Sequence, residues 1–526
     1  MVQIEVDGRQ VELTDTGLTL LDALRDVIGI RSVKDGCSPQ GQCGCCTVLV
    51  DGSPRVACVT PLRRVGGRSI TTVDGLDDQV RETWADAFCA AGASQCGFCT
   101  PGIICRLEGA RSRGVARGDQ GSVERALAAH LCRCTGWRTI VDAWDSATAR
   151  LDADTTARSE PLVSVRPWSE KRDLEAAGRR ATIEGRAAQR VGTDVALGRG
   201  GFADDGAPAD ALAAVPDGAG GWVVAETLAE ARARSGKVQG RRTTVGAVPP
   251  LALPPGPWAA TLRTCWVEPG YLEPDAAWCV PGGEPVGPLA NGGAFGAKRS
   301  SPVERAARAL ADEHGHPVRV VWSREDTVRL GPKRPPVAGG ARGDGSGVMR
   351  VAATPDIAAA VARVAPGLLV EEVTVAGPAT DAGLRAAGWA EATVLLTGAT
   401  GSLRVVTAPE GGAAEAEIDA AGTIRVRVRA GDPLDEVVLR SYCIGAAHQA
   451  VSWIRSEALA VTGEGVVEDL TIRSFGIVKA SDMPPVEVQI DPAQGPPVNG
   501  SDAVFAAVAA AAWLADGAPT DLPTRR

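Results

Sequence analysis

The sequence predicts a multidomain α+β protein, and three observations carry that prediction. At roughly 150 residues per domain, a chain of 526 residues divides into three or four units. Alternating apolar and polar residues dominate residues 1–77, and apolar residues at helical spacing dominate 78–152. After a polar, arginine-rich stretch at 153–182, read as a linker, both patterns return in two further segments, 183–345 and 346–526.

The elements follow in order. "VQIEV" and "QVEL" flank Asp7-Gly8, a two-residue turn that needs positive φ, so the chain opens with a hairpin. "TLLDALRDVI" has its leucines at helical spacing, "CTVLV" runs into a second turn at Asp51-Gly52, and "RSITTV" closes a small α+β unit. "ETWADAFCAA", "GIICRLEGA", "SVERALAAHL" and "TIVDAWDSATA" predict a helical bundle. Further on, "PPLALPPGPW" and "GPKRPPVAGGARGDGSG" read as connections, "PVERAARALADEHG" as a helix and "PVRVVW" as a strand. "TIRVRVRA" is a strand with Arg425, Arg427 and Arg429 on one face, and Asp432 with Pro433 opens a long helix.

Lysine and arginine number 55 against 64 aspartates and glutamates, a net charge of -9, which argues against nucleic-acid phosphates or acidic lipid as partners. A small molecule or another protein is expected instead. The opening residues "MVQIEVDGRQ" lack the basic start and apolar core of a signal peptide, so a cytoplasmic location is expected. The longest apolar run, Ala503 to Ala515, is too short for a bilayer and reads as a buried helix. Fourteen cysteines in such a chain point to metal ligands or buried thiols in preference to disulfides.

Two cysteine groups stand out. In "DGCSPQGQCGCCTV", Cys43 and Cys46 share a tight loop, Cys37 lies just upstream, and Cys58 returns after the Asp51-Gly52 turn. Three cysteines on a glycine-rich loop with a distant fourth is the ligand pattern of a plant-type [2Fe-2S] cluster. Zinc loops favour paired C-x2-C knuckles or histidines, and the four histidines here do not cluster. Cys96 and Cys99, with Cys132 and Cys134 of "LCRCTGW", form a second group of four. Two such groups imply one-electron relay chemistry. Cys45 is left as a spare thiol.

With "QCGFCTPG", "CRCTGW" and "CGCCTV", the first 150 residues resemble the iron–sulfur part of the molybdenum hydroxylases, the xanthine oxidase and carbon monoxide dehydrogenase family. The resemblance implies a β-grasp domain holding one [2Fe-2S] cluster and a helical bundle holding another. It implies that Gln95, just before the C-x2-C pair, touches the pterin of a molybdenum cofactor. "YLEPDAAW", "PVRVVWSRED" and the stretch from "HQAVSWIRSEAL" through "IVKASDMPPVEVQI" resemble pieces of the family's large subunit. "ANGGAFGAK" resembles its cofactor loop, which makes Gly292, Gly293, Phe295 and Gly296 the expected pterin contacts. The region after 346 is expected to be α+β and molybdopterin-binding in kind.

The chain departs from the family pattern in two respects. Its large-subunit-like part is roughly half the usual length, with no counterpart of the glutamine motif near molybdenum or of the arginine-bearing substrate loop. Where the family has a catalytic glutamate, this chain has Ser501, read as a helix N-cap, with Asp502 beside it as a substitute base. Two readings follow. One is a shortened, fused hydroxylase that oxidises a heterocycle or aldehyde carbon with water oxygen. The other is an electron-transfer subunit whose C-terminal half docks on a partner molybdenum subunit. Both send electrons through two clusters to a flavoprotein or another acceptor, since FAD would come only with a partner chain. A redox sensor would need an output domain, and none is recognised.

Overall fold

A computed structural model describes residues 1–14, 17–156, 172–236, 243–287, 292–403, 405–492 and 494–525. Half of the expected linker, residues 157–171, and Ala290 and Asn291 of the glycine-rich loop lie outside these.

The N-terminal domain is a mixed five-stranded sheet. The Asp7-Gly8 turn joins Val2–Val6 antiparallel to Arg9–Leu13, with Val2 opposite Leu13. Val2–Val6 also pairs parallel with Ser69–Thr71, which continues into Thr47–Val50 and Ser53–Val56. The segment Leu20–Val27 crosses the sheet, with Leu20, Leu21 and Leu24 buried beneath it, although its second half widens into a π-helical turn over Ala23–Val27. Four helices follow at Asp78–Ala91, Thr100–Arg111, Gln120–Leu127 and Arg138–Thr156. The first and last pack together around Trp84, Phe88 and Trp144.

Three four-stranded sheets make up the remainder. One orders Trp222–Ala225, Leu212–Pro216, Val318–Val321 and Ala276–Cys279, and the helix Val303–His314 covers it. The next orders Leu368–Val373, Gly347–Ala352, Val337–Ala341 and Ala260–Arg263. The last orders Val406–Thr407, Ala413–Ile418, Ile424–Arg429 and Val486–Ile490. Two buried helices, Glu436–Arg455 and Ser501–Ala515, pack on each other and on this last sheet. One apolar core runs continuously from the N-terminal sheet into these helices. Among the described residues no helix is long and apolar enough to cross a membrane.

Three expectations need correction. The stretch read as linker carries a helix at its end, Leu174–Gly185, capped by Asp173. Its arginine content misleads because Arg180 is fully buried, donating to the carbonyls of Pro433, Val498, Ala430 and Asp432 and to Glu184. Within the glycine-rich "connection" after Pro336, Val337–Ala341 is an inner strand, and its glycines let Trp258 and Leu395 close directly over the backbone. The long C-terminal helix is capped by Asp435, which accepts from the Val438 amide at 2.8 Å, and not by Asp432. Leu434, at φ 54°, turns the chain between those two residues.

Candidate iron–sulfur and cofactor site

The first cysteine group brings Cys37, Cys43 and Cys46, on the loop that precedes strand Thr47–Val50, together with Cys58, in the turn Ala57–Val59 after strand Ser53–Val56. Its thiols form a string of contacts from Cys43 to Cys37 to Cys58 to Cys46. Contact with Cys43, then with Cys58, pulls the Cys37 thiol well below the ordinary range, while contact with Cys37 pushes Cys43 well above it. Backbone amides point at the sulfurs: Gln40 and Gln42 donate to Cys37 Sγ at 3.2 and 3.4 Å, and Cys58 to Cys46 Sγ at 3.4 Å. Cys45 also touches Cys43, and burial raises its thiol. Gly44 has φ +74°, and a Cβ there would lie 2.5 Å from the His130 ring, so only glycine lets the loop close on the helical domain.

In the second group, Cys96 Sγ lies 3.8 Å from Cys134 Sγ, and Cys99 pairs with Cys132. Contact with Cys99 brings the Cys132 thiol down to about 6. Among the described residues no three Cys, His, Asp or Glu side chains converge as around a single metal ion. The sulfurs stand in pairs, which fits a cluster of two irons held by four thiolates. The two loops meet directly, with the Leu131 amide donating to the Cys43 carbonyl at 3.0 Å.

The C-terminal half covers the second group. Helix Glu436–Arg455 lies so close that a Cβ on Gly445 would stand 1.7 Å from the Cys134 carbonyl. Arg133, between the two cysteines, donates to the Pro269 carbonyl at 2.8 Å and to Glu457 through both terminal nitrogens. Replacing Glu457 by alanine leaves that guanidinium buried and unpaired. The expected cost is about 3–5 kcal/mol, read as a lower urea midpoint, with iron lost first from the helical domain. The first group is buried as deeply, with Cys37, Cys43, Cys46 and Cys58 each 1–3% exposed, and Gln40 ties its loop to the C-terminal half by donating to the Leu470 carbonyl at 2.7 Å.

Gln95 is buried beside the second group. Its Nε2 donates to the Cys134 carbonyl and to Ser441 Oγ, each at 3.0 Å, while its Oε1 has no partner. The glycine-rich segment abuts the same cysteines. A Cβ on Gly292 would lie 3.5 Å from Cys96 Sγ, and one on Gly293 would lie 2.7 Å from Arg133 Cβ and 3.5 Å from Cys134 Sγ. Gly296, at φ +106°, packs its backbone against the Gly383 carbonyl. An orphaned acceptor and a close-packed backbone next to the cluster fit the edge of a hydrogen-bonding ring such as a pterin.

The far side of that position is closed. A cavity of about 40 Å³, room for about one water, remains between Arg133, Glu268, Phe295, Arg385, Gln449 and Trp453. Arg385 fills it, with its guanidinium 3.5 Å from the centre of the Phe295 ring. It donates to Asp502 Oδ1 at 3.0 Å, Ser501 Oγ at 3.0 Å and Gln449 Oε1 at 3.1 Å. Arg186 holds the other Asp502 oxygen.

Ser501 is therefore not an N-cap, and Asp502 is not an open base. Gly500 caps the helix, and Glu184 from the distant helix Leu174–Gly185 accepts the Gly500 and Ser501 amides at 3.1 and 2.9 Å. Sequence reasoning missed Arg385, Glu184 and Gln189, the last of which donates to the Gln95 carbonyl at 3.1 Å.

Comparison with known proteins accords with this geometry. Residues 4–63 match the family described as "2Fe-2S iron-sulfur cluster binding domain", and residues 72–145 match "[2Fe-2S] binding domain". The chain is 38% identical over 143 residues to the nicotine 6-hydroxylase small subunit of Paenarthrobacter nicotinovorans, covering 27% of this chain and 86% of that one. It is 36% identical over 140 residues to a probable xanthine dehydrogenase subunit of Bacillus subtilis, covering 26% and 80%. Both names denote subunits of larger assemblies. The aldehyde oxidoreductase of Desulfovibrio gigas superposes with a TM-score of 0.73 at 16% identity, covering 100% of this chain and 99% of that one, which shows a shared fold. With its two thiol groups, its two matched cluster domains and these relatives, the chain belongs to the molybdenum hydroxylase family of iron–sulfur oxidoreductases.

Proposed function

We propose that the chain carries electrons from an oxidised substrate carbon through two [2Fe-2S] clusters in series. The helical-domain cluster, on Cys96, Cys99, Cys132 and Cys134, receives them. The β-grasp cluster, on Cys37, Cys43, Cys46 and Cys58, passes them on to a flavoprotein or another acceptor. The observation that supports this order is the placement of the expected pterin contacts: Gln95, Gly292 and Gly293 lie against Cys96 and Cys134 of the second group, and one main-chain hydrogen bond joins the loops of the two groups.

In this reading Gln95, Gly292, Gly293, Phe295 and Gly296 hold the pterin, with the Gln95 Oε1 accepting from its edge. When bound, the molybdenum–pterin supplies two-electron oxidation of a heterocycle or aldehyde carbon with oxygen from water. The chain's own residues orient the pterin, pack out water with Phe295 and Trp453, and keep the cluster nearby. The work takes place in the cytoplasm.

The plug of Arg385, Asp502, Ser501 and Gln449 favours a second reading, in which the C-terminal half is a docking body for a partner molybdenum subunit. Metal and pterin analysis of the purified chain, coexpressed with the cofactor pathway, separates the two. About four irons and one molybdenum per chain supports the first. The same iron without molybdenum or pterin sinks the first and supports the second.

A further inference from the structure

Arg324 begins the helix Arg324–Leu330 and is fully buried. Its Nη2 donates to the carbonyls of Gly36 at 2.7 Å and Leu272 at 2.9 Å. Its Nε and Nη1 have no hydrogen-bond partner, and no ion pair to it occurs among the described residues. The cations nearby are matched: Lys298 with Glu273 at 2.6 Å, Lys333 with Glu268 at 2.9 Å, and Arg232 with Asp35 at 2.8 Å. A guanidinium stays charged at any ordinary pH, so burying one without an anion is costly, and a counter-charge is expected close by.

The other side of the Gly36 residue supplies one. A Cβ on Gly36 would lie 3.0 Å from Cys43 Sγ and 3.0 Å from Cys45 Sγ, so a single residue separates the guanidinium from the first thiol group. Two ferric ions, two sulfides and four thiolates leave a dianion, and one added electron makes it a trianion. We infer that Arg324 is the fixed counter-cation of the β-grasp cluster and raises its reduction potential, so that the electron settles there in preference to the helical-domain cluster. The inference rests on the cluster reading above.

The transfer balances without a proton. The helical-domain cluster gives up one electron and returns to its dianion, and the β-grasp cluster takes that electron to become the trianion. At the second group the corresponding cation, Arg133, is already neutralised by Glu457, so the field is one-sided.

Arg324 acts through the cluster's field, and the decisive readout is a potential. In a potentiometric titration of the purified chain followed by EPR, Arg324→Gln is expected to lower the reduced-to-oxidised ratio of the β-grasp cluster about tenfold at fixed potential. That corresponds to a midpoint lower by about 59 mV for one electron. The helical-domain midpoint stays where it is, and Arg324→Lys restores the β-grasp value. An unchanged β-grasp midpoint in an Arg324→Gln protein of full iron content overturns the proposal. If Arg324→Gln loses the cluster, Arg324→Lys decides: an intact cluster at the wild-type midpoint supports the role of charge, and loss of iron there as well overturns it. A wild-type chain without two iron–sulfur signals would instead bring down the cluster reading.

Discussion

Replacing Cys134 by alanine is expected to halve the iron of the purified chain, from about four to about two per molecule, and to remove one of two EPR signals. Cys134 is paired with Cys96 at 3.8 Å, and its carbonyl is held by Gln95, so its loss strips one iron of a thiolate within a sealed site. The damage extends to the fold, because the free energy of metal binding is folding free energy when ligands come from separated segments. Cys96 and Cys99 lie more than 30 residues from Cys132 and Cys134, so the helical domain should also become more sensitive to urea. Replacing Cys45 by alanine is the matching control. That thiol touches Cys43 but falls outside the string Cys43, Cys37, Cys58 and Cys46, and iron content and both signals should survive. Loss of iron in Cys45→Ala with retention in Cys46→Ala would show that the neighbouring cysteine is the ligand.

The cysteine groups were legible in the sequence because cluster ligands sit on short loops, where spacing along the chain stands in for distance in space. The hairpin at Asp7-Gly8 and the helices of the second domain were legible for a similar reason, since turn chemistry and apolar period are local. What lay hidden depends on partners hundreds of residues apart. Arg180, Arg324 and Arg385 look like surface charges by composition, yet each is buried among carbonyls or carboxylates from remote segments. Glu184 caps a helix that starts more than 300 residues later, which no local capping rule can find. The same remoteness misled the reading of Ser501. Its position at the head of a helix suggested an N-cap, whereas its hydroxyl is committed to Arg385 and its amide to Glu184.

Acidification is expected to destabilise the protein steeply below pH 6.5 through two buried histidines. His448 is fully buried, with Nε2 2.9 Å from the Val478 carbonyl, and so carries its proton on Nε2. His130 lies with Nε2 3.1 Å from Thr47 Oγ1, whose own proton goes to the Gly44 carbonyl, so it too is protonated at Nε2. In both rings Nδ1 has no hydrogen-bond partner, so a second proton would be buried at a cost that the Gly102 backbone offsets only in part at His130. Burial therefore lowers His130 to about 3, helped by Arg106, and His448 to about 4. Since the folded values lie below the unfolded 6.5, the unfolded chain binds more protons in this window. The stability is complete above pH 6.5 and drains away as pH falls toward the folded values. Each unit costs about 1.4 kcal/mol per histidine. Urea midpoints at pH 7.5, 6.5 and 5.5 measure the slope. His448→Gln keeps a donor for Val478 and cannot titrate, so it should reduce the loss between pH 6.5 and 5.5 by about 1 kcal/mol, and an unchanged loss would mean that His448 binds a proton as readily in the folded protein as in the unfolded one.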